Sequence, residues 1–196
     1  MRPLRRSEVV RGQYVGYRDE PGVAPDSRVE TFAALRLHID SWRWADIPFY
    51  IRAGKSLPVT ETEVTVTLKQ PPQVVFEEKG PGTPNTFRFR LSPKVVLALN
   101  AQAKAPGEGM HGEPVELVAT HEHPMEMTAY QRLLNDAMEG DATLFAREDQ
   151  VEAAWKVVDP ILDDREPPFP YQPASWGPPE AERVAPPEGW FNPQPD

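Results

Sequence analysis

Two short runs set apolar and polar residues in strict alternation, and no other feature limits the fold so tightly. Glu63 to Lys69 places Val64, Val66 and Leu68 against Thr65, Thr67 and Lys69, and Thr86 to Leu91 places Phe87, Phe89 and Leu91 against Arg88 and Arg90. Only an extended strand, whose side chains point alternately to its two faces, gathers such residues on one side. The expectation is an amphipathic sheet, mainly antiparallel, with the phenylalanines turned to a core and the arginines to solvent. Further apolar and β-branched runs, separated by Pro and Gly breaks, lie at Val9 to Tyr17, Glu30 to Ile39, Pro48 to Ala53, Val95 to Ala103 and Pro114 to Ala119. They extend the strand texture over residues 9–120, with Gln70 to Asn85 and Lys104 to Gly112 as loops.

Beyond residue 120 the period changes. Tyr130, Leu133, Leu134, Ala137 and Met138 recur at helical spacing, Thr128 and Gln131 form a capping box before them, and Gly140 ends the run. Val151, Ala154, Trp155, Val158 and Leu162 give a second helix its stripe, with Glu148 and Asp149 in its first turn and Pro160 expected to kink or end it. These helices occupy residues 128–164. The remaining 165–196 hold ten prolines in 32 residues, yet also Phe169, Tyr171, Trp176, Trp190 and Phe191. Aromatics at that density point to a tail pinned along the surface. The class is therefore α+β: one principal domain over 1–196, built on a large, mainly antiparallel sheet with helices on one face and a Pro-rich C-terminal tail.

The 196 residues carry a formal net charge of −9, which argues against a nucleic-acid surface, since phosphate backbones need a dense cationic face. An anion must be met here by a local cluster. The chain has no cysteine, so disulfides, thiolate metal sites and a cysteine nucleophile are excluded. The basic N-terminus is not followed by an apolar run of signal-peptide length, and no stretch reads as a membrane span. A cytoplasmic location is expected.

The most informative stretch for chemistry runs from Asp40 to Pro58. It reads as a strand ending in Arg52-Ala53-Gly54-Lys55, where glycine allows close backbone approach and two cations flank it. Such an end suits a phosphate, and Arg52 and Lys55 are the candidate substrate-binding residues. On spacing alone, a strand end with solvated charges is the commoner meaning. Other features carry less. His38 sits between Leu37 and Ile39 on a strand, and His111 lies in a loop. His121-Glu122-His123 has the spacing of two imidazole ligands but no third ligand, and Pro124 follows at once, so a polar loop is expected and no metal site. Arg88 and Arg90 read as a solvated sheet face. Trp42 and Trp44 around Arg43 could stack on a ligand cation, but a turn packed on the sheet is the more frequent arrangement.

Several separated motifs stand in an order and spacing that resemble one family. They are Val10-Arg11-Gly12-Gln13-Tyr14-Val15-Gly16-Tyr17, Glu30-Thr31-Phe32-Ala33-Ala34, Trp42-Arg43-Trp44 and Pro48-Phe49-Tyr50-Ile51-Arg52-Ala53-Gly54-Lys55. Downstream come Ala129 to Leu134, Ala154-Trp155-Lys156 and Gly177-Pro178-Pro179-Glu180-Ala181. Together they resemble the C-terminal domain of glucose-6-phosphate dehydrogenase over nearly the whole chain. The resemblance implies a domain that, in the family, forms the subunit interface and one wall of the active site. It also implies that Lys55 helps bind the phosphate of glucose 6-phosphate. Oxidation at C1 to the lactone would use NADP.

The resemblance also sets expectations of absence. The family's glycine-rich cofactor turn, and the histidine and aspartate that take the C1 proton, match no segment here. No catalytic or cofactor-binding residue is assigned, and NADP is expected to be held mainly by a separate Rossmann half. The chain is expected to be inactive alone and to act as a homodimer or beside that half, or else as a non-catalytic interaction module. Many family members place further basic residues five or six positions after the lysine, where this chain has Thr60 and Glu61. The Glu61-Thr62-Glu63-Val64-Thr65 run also departs from the basic strand that holds a second, structural NADP in eukaryotic members.

Overall fold

The computed structural model describes residues 1–70, 84–107, 109–121, 128–162 and 166–193. The strands are β1 (Val9–Tyr14), β2 (Phe32–His38), β3 (Pro48–Gly54), β4 (Thr62–Thr67), β5 (Thr86–Ser92), β6 (Val95–Lys104), β7 (Gly112–His121) and β8 (Phe169–Tyr171). The helices are α1 (Ala129–Glu139) and α2 (Glu148–Leu162). The class is α+β, as the pattern implies, and the strands form two four-stranded sheets in the orders β3-β2-β1-β8 and β4-β5-β6-β7. By packing, the chain divides into two compact units. One is Met1–Val59 with Met127–Asn192, and the other is Thr60–Glu126 with Pro193–Asp196.

In the first unit the two faces of the sheet have different covers. Val10, Phe32 and Ala34 share one face, and the tail lies on it through Tyr171, Ala181, Val184 and Trp190. Leu35 and Leu37 share the other with Val9 and Phe49, under Leu4 and the α2 residues Val157, Val158 and Ile161. The sheet is thus apolar on both sides at its centre, and burying both faces is what makes so small a sheet stable. The tail enters as a strand: β8 pairs parallel to β1, with Gly12 opposite Phe169 and Tyr14 opposite Tyr171. Glycines permit the close approach. A Cβ on Gly12 would sit 3.1 Å from Pro178 Cδ and from Tyr171 Cδ1. Gly177, at φ +101°, has no room for one against the Phe32 ring. The dense aromatics of the tail are therefore a packed layer, in line with the pinned tail expected.

The helix signals hold. Thr128 Oγ1 accepts from Gln131 N at 3.3 Å, Gln131 Oε1 accepts from Thr128 N at 2.9 Å, and Gly140 closes α1 at φ +74°. Pro160, expected to kink or end α2, does not end it: the helix continues to Leu162. Its Val157 carbonyl accepts from Leu4 N at 2.8 Å, while Tyr130, Leu134 and Met138 of α1 are exposed. Among the described residues no helix is long and apolar enough to cross a membrane.

In the second unit the alternation is present and its direction is reversed. Register places Val66, Phe87, Leu99 and Leu117 in one cross-strand row and Thr65, Arg88 and Ala98 in the next. Phe87, Leu91, Val64 and Val66 are exposed, whereas Arg90 is only 4% exposed. The expectation that both arginines face solvent is corrected for Arg90, and the reason is a local charge cluster. Arg90 Nε stands 3.3 Å from both the Glu61 and the Glu63 carboxylates, and Arg88 reaches Glu116 at 2.7 Å and Glu63 at 3.6 Å. Three carboxylates around two guanidiniums remove most of the cost of burying Arg90. Residues 71–83 of the expected 70–85 loop lie outside the described residues.

Arg90→Ala should cost about 3 to 5 kcal/mol in urea unfolding, because it strands the buried Glu61 carboxylate and leaves Glu63 with Arg88 at 3.6 Å. Arg88→Ala, whose partner Glu116 is half exposed, should cost about 1 kcal/mol or less. Equal losses for the two would contradict the asymmetry.

Candidate functional site

The end of β3 carries the two candidate cations, Arg52 and Lys55. Ala34 pairs with Arg52 and Phe32 with Gly54, so the antiparallel ladder carries Arg52 and Gly54 on the face that the tail covers. Gly54 is required there, since a Cβ would come 2.9 Å from Phe32 Cδ2. One step further the ladder makes a last bond, Lys55 N to Thr31 O at 2.8 Å. Ser56 then turns away at φ +51°.

Tyr171 closes this end from the tail side. The residue is 3% exposed, and its phenol donates to the Lys55 carbonyl at 2.7 Å. The Thr31 hydroxyl lies 3.0 Å from Tyr171 Oη and itself accepts from Tyr14 N at 3.0 Å. The phenol also reaches the Thr31 carbonyl, at the longer distance of 3.2 Å. When its proton lies on the shorter bond, to Lys55, the Thr31 hydroxyl is the donor to Tyr171 Oη, and the chain Tyr14 N–H, Thr31 Oγ1, Tyr171 Oη and Lys55 carbonyl is polarised in one direction. Burial pushes the Tyr171 phenol above its ordinary pKa, so it stays protonated and able to donate. The tail adds a second bond beside it, Ala174 N to Ser56 O at 2.7 Å.

Arg52 is held by the same tail. Its guanidinium lies between the Trp176 and Trp190 rings, 4.7 and 5.1 Å from their centroids. Nη2 donates to the Phe191 carbonyl at 3.0 Å and to Asn192 Oδ1 at 2.6 Å. Burial lowers its pKa, and the Glu182 carboxylate works in the opposite direction. Lys55 differs. It is exposed, and among the described residues its ammonium has no hydrogen bond or ion pair. A fixed backbone thus carries an unpaired cation in water.

The other sequence candidates lie apart from this strand end. His38 is half-buried at the far end of β2, opposite Pro48, and His111 is exposed in the β6–β7 loop. His121 ends β7, Glu122 and His123 lie outside the described residues, and no metal-ligand cluster occurs among the described ones. Trp44 packs edge-on against Phe49 at 5.2 Å while Trp42 is exposed, which is the packed turn rather than a ligand cage. Glu61, standing where many family members have a cation, is paired with Arg90.

The family model of the glucose-6-phosphate dehydrogenase C-terminal domain matches residues 1–191. The chain belongs to this family. Glucose-6-phosphate 1-dehydrogenase of Aggregatibacter actinomycetemcomitans is 41% identical over 204 residues, spanning 94% of this chain and 41% of that protein. Glucose-6-phosphate 1-dehydrogenase 1 of Mycobacterium tuberculosis strain H37Rv is 39% identical over 187 residues, covering 94% and 40%. The chain therefore spans about two fifths of the length of the curated relatives it matches. The crystal structure of the Mycobacterium avium glucose-6-phosphate 1-dehydrogenase superposes with a TM-score of 0.87 at 38% identity, over 99% of this chain and 42% of that one. A glucose-6-phosphate dehydrogenase in complex with its substrate glucose-6-phosphate gives 0.78 at 27% identity, over 98% and 43%.

Tyr171 and Thr31 were not among the residues that sequence reasoning singled out. The signal for Tyr171 was the aromatic content of a Pro-rich tail, which shows that the tail packs but not which hydroxyl meets which carbonyl. Arg52→Ala should destabilise the first unit by about 2 to 3 kcal/mol and speed proteolysis within 172–192, since two ring stacks and a charged hydrogen bond are lost together. Arg52→Lys should not restore the tail, because an ammonium lacks the planar fork. Wild-type melting and proteolysis in Arg52→Ala would refute the latch.

Proposed function

We propose that this chain is the substrate-binding portion of a glucose-6-phosphate dehydrogenase and that Lys55 meets the phosphate of glucose 6-phosphate. The observation that carries the reading is the exposed ammonium of Lys55, without a partner among the described residues, on a backbone bonded at both its N–H and its carbonyl. Membership of the family and the shared fold with a substrate-bound dehydrogenase support it. The sugar phosphate brings a dianion to a protein of net charge −9, so recognition depends on this local cation and not on the overall field. Arg52 enters the reading as the second cation of the segment, acting on Lys55's surroundings through the tail that it holds.

NADP would supply the hydride acceptor for oxidation at C1. The described residues do not fit a dinucleotide site: the parallel strand pair among them is β1–β8, and neither α-helix opens on a glycine-rich turn. We therefore place NADP, and the base that takes the C1 proton, on residues outside this chain, and the chain alone is expected to form no NADPH. A cytoplasmic location goes with this reading.

Self-association is a second reading, favoured by one observation. The β4–β7 sheet turns a row of apolar side chains outward, with Val64, Val66, Phe87 and Leu97 exposed and Leu117 at 65%. A contiguous apolar face of this kind marks an interaction surface. Light scattering that gives a monomer at high concentration would remove this reading and leave the first intact.

Calorimetry tests the main reading. Glucose 6-phosphate should bind the chain weakly, with affinity falling as salt rises, because an exposed ion pair contributes only about 1 kcal/mol. Lys55→Ala should weaken binding about fivefold, the equivalent of that energy. Unchanged affinity in Lys55→Ala would overturn the assignment.

A further inference from the structure

Lys55 stands where the β2–β3 ladder meets the tail. Gly54, before it, lies against Phe32 in the ladder, and Ser56, after it, sits at φ +51° with its carbonyl accepting from Ala174 N at 2.7 Å. Lys55 itself has two main-chain bonds, N–H to Thr31 O at 2.8 Å and carbonyl from Tyr171 Oη at 2.7 Å. The first belongs to the sheet ladder. The second comes from a side chain more than a hundred positions away, delivered by β8.

We propose that Tyr171 is a positioning residue for substrate recognition: its phenol holds the Lys55 carbonyl so that the ammonium points to where the sugar phosphate binds. The inference rests on the reading of Lys55 given above. Tyr171 itself is buried and touches no substrate, so it acts wholly through Lys55. Its ring has separate work, packing against Phe32 at 5.5 Å and Tyr14 at 6.3 Å between centroids. Tyr171→Phe would keep that packing and remove the hydroxyl, and with it the bond to the Lys55 carbonyl and those to the Thr31 hydroxyl and carbonyl. The Thr31 hydroxyl supports the same function one step upstream, since it hydrogen-bonds Tyr171 Oη at 3.0 Å and can donate to it while the phenol donates to Lys55.

The role extends what the tail does. A tail that merely covered Phe32 and Ala34 could be replaced by any apolar segment. A tail that carries the phenol to Lys55 makes the C-terminal strand part of the recognition apparatus, and ties affinity for the sugar phosphate to the seating of β8 beside β1.

The test is a double-mutant cycle read by titration with glucose 6-phosphate, together with backbone NMR relaxation, on the full chain. Tyr171→Phe should weaken binding at least about threefold in the wild-type background and have no further effect in Lys55→Ala, since residues acting through one contact are not additive. The Lys55 amide should fall from a rigid order parameter of about 0.85 to below about 0.6, while Val10 and Leu35 of the ladder stay rigid. If Lys55→Ala weakens binding and Tyr171→Phe does not, the positioning role is wrong and the Lys55 assignment stands. If Lys55→Ala has no effect, the assignment itself fails. Unchanged order at Lys55 in Tyr171→Phe overturns the positioning role whatever the titrations show. Should Tyr171→Phe not fold, Thr31→Ser and Thr31→Val probe the same proton order. Serine should keep affinity within about twofold and valine should lose it, and equal affinities would count against the inference.

Discussion

A buried phenol has one proton to give, and in this chain Tyr171 gives it to the carbonyl of Lys55. The rest of the first unit can be described as what brings that donor and acceptor together. The β2–β3 ladder carries Lys55 to its end, and the parallel pairing of β8 with β1 sets Tyr171 opposite Tyr14. Gly12 and Gly177 remove the side chains that would keep the tail off the sheet. Thr31 orders the protons, and Arg52, stacked between Trp176 and Trp190, keeps the last part of the tail from peeling away. Each element is modest alone, but they share one layer over Phe32 and so hold or fail together.

That layer also leaves one cation of the Arg52–Lys55 segment exposed in a chain of net charge −9, which is what the proposed recognition of an anion needs. Its cations are spent differently. Arg90 and Arg88 are consumed by Glu61, Glu63 and Glu116, and Arg52 by the tail. Lys55 keeps its ammonium in solvent. Arginine suits the first task, because a planar fork serves several fixed acceptors at once, and lysine suits the second, because a point charge on a flexible stem can follow a phosphate.

Much of this was legible in the sequence, and the limits were physical. The period of two located β4 and β5, and apolar runs between Pro and Gly breaks located the other strands up to β7 within a few residues, while β8 fell in what read as an irregular tail; Thr128, Gln131 and Gly140 marked the ends of α1. The family could be read because its motifs are spread along the chain in order. Alternation gives which residues share a face but not which face is buried, and Arg90 lies on the covered side because Glu61 and Glu63 neutralise it. The division of the strands into two sheets depends on which strands pair, which no local pattern states. Lys55 could be singled out from Arg-x-Gly-Lys, but its tether could not. Thr31 and Lys55 are both joined to Tyr171 across more than a hundred residues, and a single hydroxyl leaves no periodic trace.

In the proposed recognition of glucose 6-phosphate the tail and Lys55 form one device, and a crystal structure of this chain soaked with glucose 6-phosphate examines that directly. The phosphate should lie within hydrogen-bonding distance of Lys55 Nζ, about 3 Å, with Tyr171 Oη still bonded to the Lys55 carbonyl. An ordered sugar phosphate bound elsewhere on the chain, or one bound at Lys55 with the Tyr171 bond broken, would contradict it.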